Sequence, residues 1–281
     1  MKYVDIDKIY QTVPLDKIPW NSEETPDKLV ELVQSGKVRP CKTIDLGCGA
    51  GNYAIYLAER GFEVIGVDSS PTVIKITTKN AQKRGVRWKF IVADLLGDLH
   101  DVKETFDFGY DWNFLHHIFP EDREKYVQNV YNILKPGAKY LSVCFSEKDP
   151  QFGGVGKFRK TNLGTMLYFS SESEIQDLFS PYFDIQELKT VEINTKFVSH
   201  YAIYAFSKRH WLLEEWYFWD SVQKSLMNVK LSFTVGEGEN VGFLGSYGTG
   251  KTTISCIFTG RVRVAQIPVN GLAFATVNTM H

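Results

Sequence analysis

From residue 42 to about 208, short apolar runs alternate with stretches of helical periodicity, and this alternation constrains the fold more than any other feature of the chain. Candidate strands fall at 43–46, 63–67, 88–92, 106–110, 139–145, 183–191 and 198–206. The stretches between the first five read as helices. The clearest is 121–135, where Val127, Val130, Tyr131 and Leu134 share one helical face and Pro136-Gly137 closes the pattern. Strands that alternate with helices run parallel, and the sheet they form is covered on both faces. The last two strands are separated only by a turn near Asn194, so they pair antiparallel. The expectation is an α/β fold with a mostly parallel sheet of seven strands.

The ends of the chain differ in style. An N-terminal arm runs to about residue 21, followed by a helix start in which Thr25 is the expected cap, Pro26 the first helical position and Gly36 the stop. Beyond 209 the composition shifts: Trp211, Trp216 and Trp219 crowd together, and a Gly- and Val-rich stretch follows. The expected division is a domain over 1–209 and an appendage over 210–281. With 32 basic and 33 acidic residues, the chain lacks the basic excess of a nucleic-acid-binding surface, so no nucleic-acid partner is expected. Cys41, Cys48, Cys144 and Cys256 are far apart and form no C-x-x-C pair, which suits reduced thiols rather than disulfides, and no metal site is expected. The N-terminus is charged and broken by Pro14 and Pro19, unlike a signal peptide, and no apolar run is long enough to span a bilayer. A cytoplasmic protein without a membrane partner is the expectation; the oligomeric state stays open.

The chemistry concentrates where the first strand meets the first helix, at Asp45-Leu46-Gly47-Cys48-Gly49-Ala50-Gly51. Gly47, Gly49 and Gly51 permit a tight turn and close backbone approach to a ligand. The helix starting near Asn52 directs its free N–H groups at the same place. A dinucleotide fingerprint would need a third glycine at 52, where Asn52 stands. Acidic residues then close successive strands: Asp68 the second, Asp94 (followed by Leu95) the third, Asp111 the fourth. Carboxylates at these ends converge on the crevice where open parallel sheets bind ligands, and Asp68 stands where an acidic side chain takes ribose hydroxyls.

On IDLGCGAGNYAIYLAERG, VIGVDSS, FIVADLL, FDFGYDWNFLHHI and LKPGAKYL, residues 14–208 resemble the class I methyltransferases that use S-adenosylmethionine (SAM). The resemblance implies a Rossmann-like seven-stranded sheet with a reversed last strand and helices on both faces. It implies that Asp45 and the 47–51 turn hold the methionine part of SAM, that Asp68 binds the ribose, that Ser69 lies beside the adenine, and that Asp94 and Leu95 contact the adenine ring. The opening IPWNSEETPDKLVELV is similar to the thiopurine and tellurite-resistance branch. The expected activity is in-line methyl transfer to a small-molecule acceptor, with Trp20 or Trp112 as an aromatic cradle for the sulfonium. His116 and His117 are the candidate proton acceptors. The stretch 146–169, with Gly153, Gly154, Gly156, Lys157, Arg159 and Lys160, is a candidate lid whose basic cluster would face an anionic acceptor.

One motif stands apart. Gly245-Ser246-Tyr247-Gly248-Thr249-Gly250-Lys251-Thr252 satisfies the phosphate-loop pattern, with Gly245, Gly250, Lys251 and Thr252 as phosphate-binding candidates, a strand expected over 240–244 and a helix start over 252–258. Its surroundings resemble the opening of an ABC-transporter ATPase domain, yet no metal-holding acid follows. The competing functions are therefore a nucleotide-binding ATPase subunit and a SAM-binding sensor without catalysis.

Overall fold

The computed structural model describes residues 3–86, 89–194 and 199–210 throughout, and strands alone within 211–281. Two compact units separate, Met1–Arg209 and His210–His281.

In the first unit, α1 (Ile6–Thr12) starts at Asp5, whose carboxylate accepts from the Lys8 N–H. Helix α2 (Asp27–Gln34) begins one residue later than its sequence signal: Pro26 has extended ψ and is the cap position, not the first helical residue. Then β1 (Lys42–Leu46), α3 (Asn52–Ala58), β2 (Glu63–Asp68), α4 (Pro71–Lys83) and β3 (Lys89–Val92) alternate as the pattern requires. The helix expected between the third and fourth strands does not form. Residues 93–105 make turns instead, because the Asn129 amide donates to the carbonyls of Leu95 and Gly97 at 3.0 and 2.9 Å and Asp94 folds back on the Leu96 N–H.

Strand β4 (Phe106–Trp112), α5 (Pro120–Ile133) and β5 (Leu134–Phe145) follow. Helix α5 stops at Ile133 rather than Lys135, since Leu134 turns extended and pairs with Phe106 on β4. After a short hairpin, β6 (Phe158–Lys160) and β7 (Met166–Tyr168), come α6 (Glu172–Phe179), β8 (Phe183–Ile193) and β9 (His200–Arg209).

The seven-stranded sheet has the order β3-β2-β1-β4-β5-β9-β8. Strands β1 to β5 are parallel, and β9 inserts antiparallel between β5 and β8. This is the Rossmann-like α/β fold that the resemblance implies, with its last strand reversed. Leu29, Leu57, Phe62, Phe108, Tyr110 and Phe206 fill one face; full burial of such side chains contributes roughly 1.5–3 kcal/mol each. On the other face Tyr140 packs against Phe179 and Phe183.

The 146–169 stretch is built differently from a free loop with an anion-facing basic cluster. The Arg159 guanidinium is buried and donates to the carbonyls of Glu147, Asp149, Gln151 and Gly156. Lys157 pairs with Glu174 at 2.6 Å and Glu147 at 3.3 Å. These two cations hold the hairpin to itself and to α6, which leaves Lys160 as the exposed member of the cluster.

In the second unit, Trp216–Asp220 pairs antiparallel with Ser225–Val229 and with Thr253–Ser255, and Val262–Val269 forms a hairpin with Leu272–Thr279. The helix expected from 252 is thus a strand over its described part. Gly245 lies in a two-residue strand, while Gly250, Lys251 and Thr252 fall outside the described residues. Among the described residues no helix is long and apolar enough to cross a membrane.

Candidate active site

The glycine turn is stitched to the end of β2. Gly47 and Cys48 N–H groups donate to the Val67 carbonyl at 2.8 and 2.9 Å. Asp68 continues the link: Oδ2 accepts from the Gly49 N–H at 3.0 Å and Oδ1 from the Ser70 N–H at 2.9 Å. Gly47 and Gly51 are required here, with φ of +75° and +78°. A Cβ on either would stand 2.3 Å from a side-chain atom, of Phe114 or Thr77 respectively.

The N-terminal arm closes the other side of this turn. Asp7 accepts from Ser70 Oγ at 2.5 Å and from the Thr72 N–H at 2.9 Å, pinning α1 to the start of α4. Farther along, Asn52 at the start of α3 donates to Asn21 Oδ1 and the Ser22 carbonyl. Between the two pins Trp20 Nε1 donates to the Tyr10 hydroxyl at 2.9 Å.

Arm and turn enclose a cavity of about 90 Å³, into which face Tyr10, Trp20, Asp45, Asp68 and Trp112, together with Gly47, Cys48 and Gly49. Asp45 is buried, and desolvation raises its pKa to about 7, with the Tyr110 hydroxyl acting against the rise and the Asp68 and Asp111 charges adding to it. Asp68 is also raised by burial, opposed by the Ser70 and Gly49 N–H groups. A carboxylate held this way in a dry wall attracts a cation.

Asp111 is elsewhere. Asp45 is in register with Tyr110 on β4, so those two share a face and Asp111 points through the sheet to the other. There it is fully buried among the Tyr126, Tyr140 and Ser142 hydroxyls, with a pKa that burial raises to about 6. The sequence expectation of a fourth carboxylate in the crevice is corrected accordingly. Asp94 is exposed and its carboxylate caps a turn, Leu95 is buried beneath α5, and Ser69 is exposed; none of the three faces the cavity.

A second, larger cavity of about 290 Å³ adjoins the first. Trp20, Ser22, Tyr53, Trp112, Asn113 and His117 line both and form a collar between them. The 146–169 stretch supplies one wall through Phe152, Leu163 and Leu167, and β9 supplies His200. Among the described residues lining this space there is no Lys or Arg, and Glu24 and Asp27 stand on the N-terminal side. Two residues on its wall, Asn113 and Phe152, take left-handed φ of 61° and 54°, a strain that persists only where surrounding structure enforces it.

The two candidate histidines separate in role. The Phe145 N–H donates to Nδ1 of His116 at 3.3 Å, which leaves the proton of the neutral ring on Nε2 and makes His116 a donor. His116 is kept neutral because burial holds its pKa well below the ordinary value. His117 lies in the collar with its ring 6.0 Å from Trp20, and burial lowers its pKa to about 4. Both rings are uncharged at neutral pH. Sequence reasoning missed Tyr10, Tyr53, Asn113 and His200; of these only Asn113, an Asn directly after a strand end, carries a local cue.

Residues 44–137 match a family described as a methyltransferase domain. A 2-heptyl-1-hydroxyquinolin-4(1H)-one methyltransferase of Mycobacteroides abscessus is 28% identical over 185 residues, covering 62% of this chain and 72% of the relative. The chain carries a SAM-dependent methyltransferase domain. The demethylmenaquinone methyltransferase of Thermus thermophilus is 33% identical over 136 residues, covering 46% of this chain and 58% of that protein, so the match spans little more than half of its length. In fold, the domain resembles the Burkholderia thailandensis 1,6-didemethyltoxoflavin-N1-methyltransferase, with a TM-score of 0.56 and 19% identity over 73% of this chain and 85% of that one. The cavity residues of the methyltransferase domain suit the cofactor: two carboxylates for its cationic and hydroxyl groups, and glycines where its bulk requires a bare backbone.

Proposed function

We propose that this enzyme methylates an uncharged, planar small molecule held in the larger cavity. The observation that carries the proposal is the shared collar, six residues that line both cavities and so set them side by side, which would bring a donor in the first against an acceptor in the second. SAM supplies a methyl group on a positively charged sulfur. Asp45 would neutralise the cationic methionine end, and Asp68, already oriented by two N–H groups, would accept from the ribose. Gly47, Cys48, Gly49 and Gly51 would line the methionine with backbone. Trp20 from the arm and Trp112 at the end of β4 are the aromatic residues that would cradle the sulfonium. Asp94 and Leu95 would reach the adenine only through a shift of the 93–105 turns, and Ser69 only through one at the start of α4.

The acceptor's charge follows from the wall. A cavity without cations and with Glu24 and Asp27 on one side disfavours oxyanions and thiolates and favours neutral aromatic rings that stack on Phe152, Tyr53 and Trp112. The quinolone named for the M. abscessus relative has this shape, which supports the reading more than it supports the thiopurine and tellurite-resistance branch. Holding donor and acceptor in line supplies most of the acceleration. His117, neutral and in the collar, would accept a hydrogen bond from the acceptor's O–H or N–H, whose proton passes to solvent, while His116, in the tautomer set by its bond from the Phe145 N–H, would donate one. The 146–169 wall would act as the acceptor's cover and the N-terminal arm as the cofactor's. The arm must open to admit the cofactor, since about 90 Å³ is well below the roughly 300–1,000 Å³ of an ordinary ligand pocket.

The test is release of S-adenosylhomocysteine from labelled SAM with hydroxyquinolones, naphthols, thiols, selenite and tellurite offered in parallel. Turnover confined to the neutral ring compounds is the expected result. Turnover of the oxyanions alone would refute the charge argument, and tight SAM binding with no turnover of any compound would leave a sensor. The nucleotide-binding alternative would need ATP turnover from the His210–His281 unit.

A further inference from the structure

The larger cavity is mostly apolar, so its polar wall atoms decide what it recognises. One residue of that wall carries a polar atom without structural employment. His200 opens β9, is 5% exposed, and its Nε2 is buried without a hydrogen-bond partner. Burying an imidazole nitrogen unpaired is costly, and natural interiors keep such groups where a ligand or water completes them. The ring itself is firmly held: Phe145 meets it edge-on at 4.9 Å, and Phe145 in turn stacks on Phe169 at 5.0 Å. The neighbouring Tyr201 N–H is fixed to Asp149 Oδ2, so the start of the strand is anchored as well. His200 is thus oriented by its surroundings while its Nε2 is left over.

Its position matters equally. His200 lines the larger cavity but takes no part in the collar or in the cofactor cavity. A group bonded to it lies away from the point where the methyl group arrives. We propose that His200 Nε2 hydrogen-bonds a second polar group of the acceptor, remote from the atom that is methylated, and so selects bifunctional rings over rings with a single polar group. The inference rests on the neutral-acceptor reading above and narrows it. Burial disfavours the charged imidazolium, with the Asp149 charge acting in the other direction, so the partner is an uncharged hydroxyl, carbonyl or ring N–H rather than a carboxylate.

The experiment compares two probes of one shape, 1-naphthol and 1,5-dihydroxynaphthalene, for binding to the full chain saturated with S-adenosylhomocysteine. The proteins are wild type, His200→Phe and His200→Gln, with S-adenosylhomocysteine affinity measured in each to show that the cofactor cavity is intact. The expected result is that wild type binds the diol about tenfold tighter than the mono-ol. His200→Phe should bind both alike, and His200→Gln, which keeps a hydrogen-bonding group near the same place, should recover part of the preference. Equal binding of the two probes by wild type, or the same preference in His200→Phe, overturns the assignment while leaving the neutral-acceptor reading standing. Failure of wild type to bind either ring overturns both. If His200→Phe loses its cofactor affinity, His200→Leu takes its place as the variant without a hydrogen-bonding group, and an unchanged preference for the diol in it overturns the assignment.

Discussion

The buried Asp45 makes the domain's stability and its cofactor affinity depend on pH in opposite directions. Its carboxyl has an ordinary value of 3.8 and is raised to about 7 in the folded protein, first by desolvation. Below the lower value the group is neutral in both states and costs nothing. Between the two, the unfolded chain releases the proton that the folded chain retains, so stability falls as pH rises, at about 1.4 kcal/mol per unit. Above about pH 7 the loss is complete and amounts to on the order of 4 kcal/mol. Asp45→Asn, which keeps the shape and discards the charge, should therefore unfold at a clearly higher urea concentration than wild type at about pH 8, with the two converging near pH 4. Cofactor binding should run the other way. A cation beside Asp45 favours the ionised form, so SAM affinity should rise up to tenfold per pH unit below about 7 and then level off. Calorimetry on both proteins over this range measures the effect, and the variant removes the ligand's own titration from the comparison. If Asp45→Asn binds SAM as tightly as wild type and with the same slope, the carboxylate does not face the cation and the placement of the methionine end is wrong.

Other perturbations separate the parts of the site. Gly51→Ala forces a Cβ to 2.3 Å from Thr77 Cγ2 at a φ of +78° and should destabilise the domain by about 1–3 kcal/mol in urea titrations; an unchanged midpoint would mean that the turn relaxes freely. Asp7→Ala removes the bonds from Ser70 Oγ and the Thr72 N–H, so the arm should be cut faster by protease and SAM should dissociate several-fold faster, whereas identical rates would show the arm held by packing alone. Arg159→Ala releases the carbonyls of Glu147, Asp149 and Gln151 and should raise the acceptor KM about tenfold with SAM affinity unchanged; Arg159→Lys, lacking the planar fork, should not restore it. A chain ending at residue 209 should fold and bind SAM as the full chain does, and loss of binding would make the second unit part of the methyltransferase domain.

The residues that sequence alone could and could not place differ by the range of the interactions that set them. Asp45, the 47–51 turn and Asp68 lie within one β-α-β passage, where local chemistry (glycines at positive φ, a cap at Ser70, a strand-ending carboxylate) fixes geometry without reference to the rest of the chain. Asp111 carries the same signature, an acid near a strand end, and reaches the opposite face. What distinguishes it is the register of β4 on β1, which sets Asp45 beside Tyr110; a slip of one residue would have turned Asp111 into the crevice and Tyr110 out of it. Register depends on packing across the whole sheet and leaves no mark in seven residues of sequence. The basic cluster of 157–160 fails for a related reason, because the carbonyls that occupy Arg159 become neighbours only once the hairpin has folded. The larger cavity is the extreme case: Ser22, Asn113, Phe152 and His200 come from four separate parts of the chain. Cofactor chemistry is consequently written in contiguous sequence, while acceptor chemistry has to be deduced from which polar atoms the assembled cavity leaves unsatisfied. That places His200, rather than any motif, at the centre of the question of what this enzyme methylates.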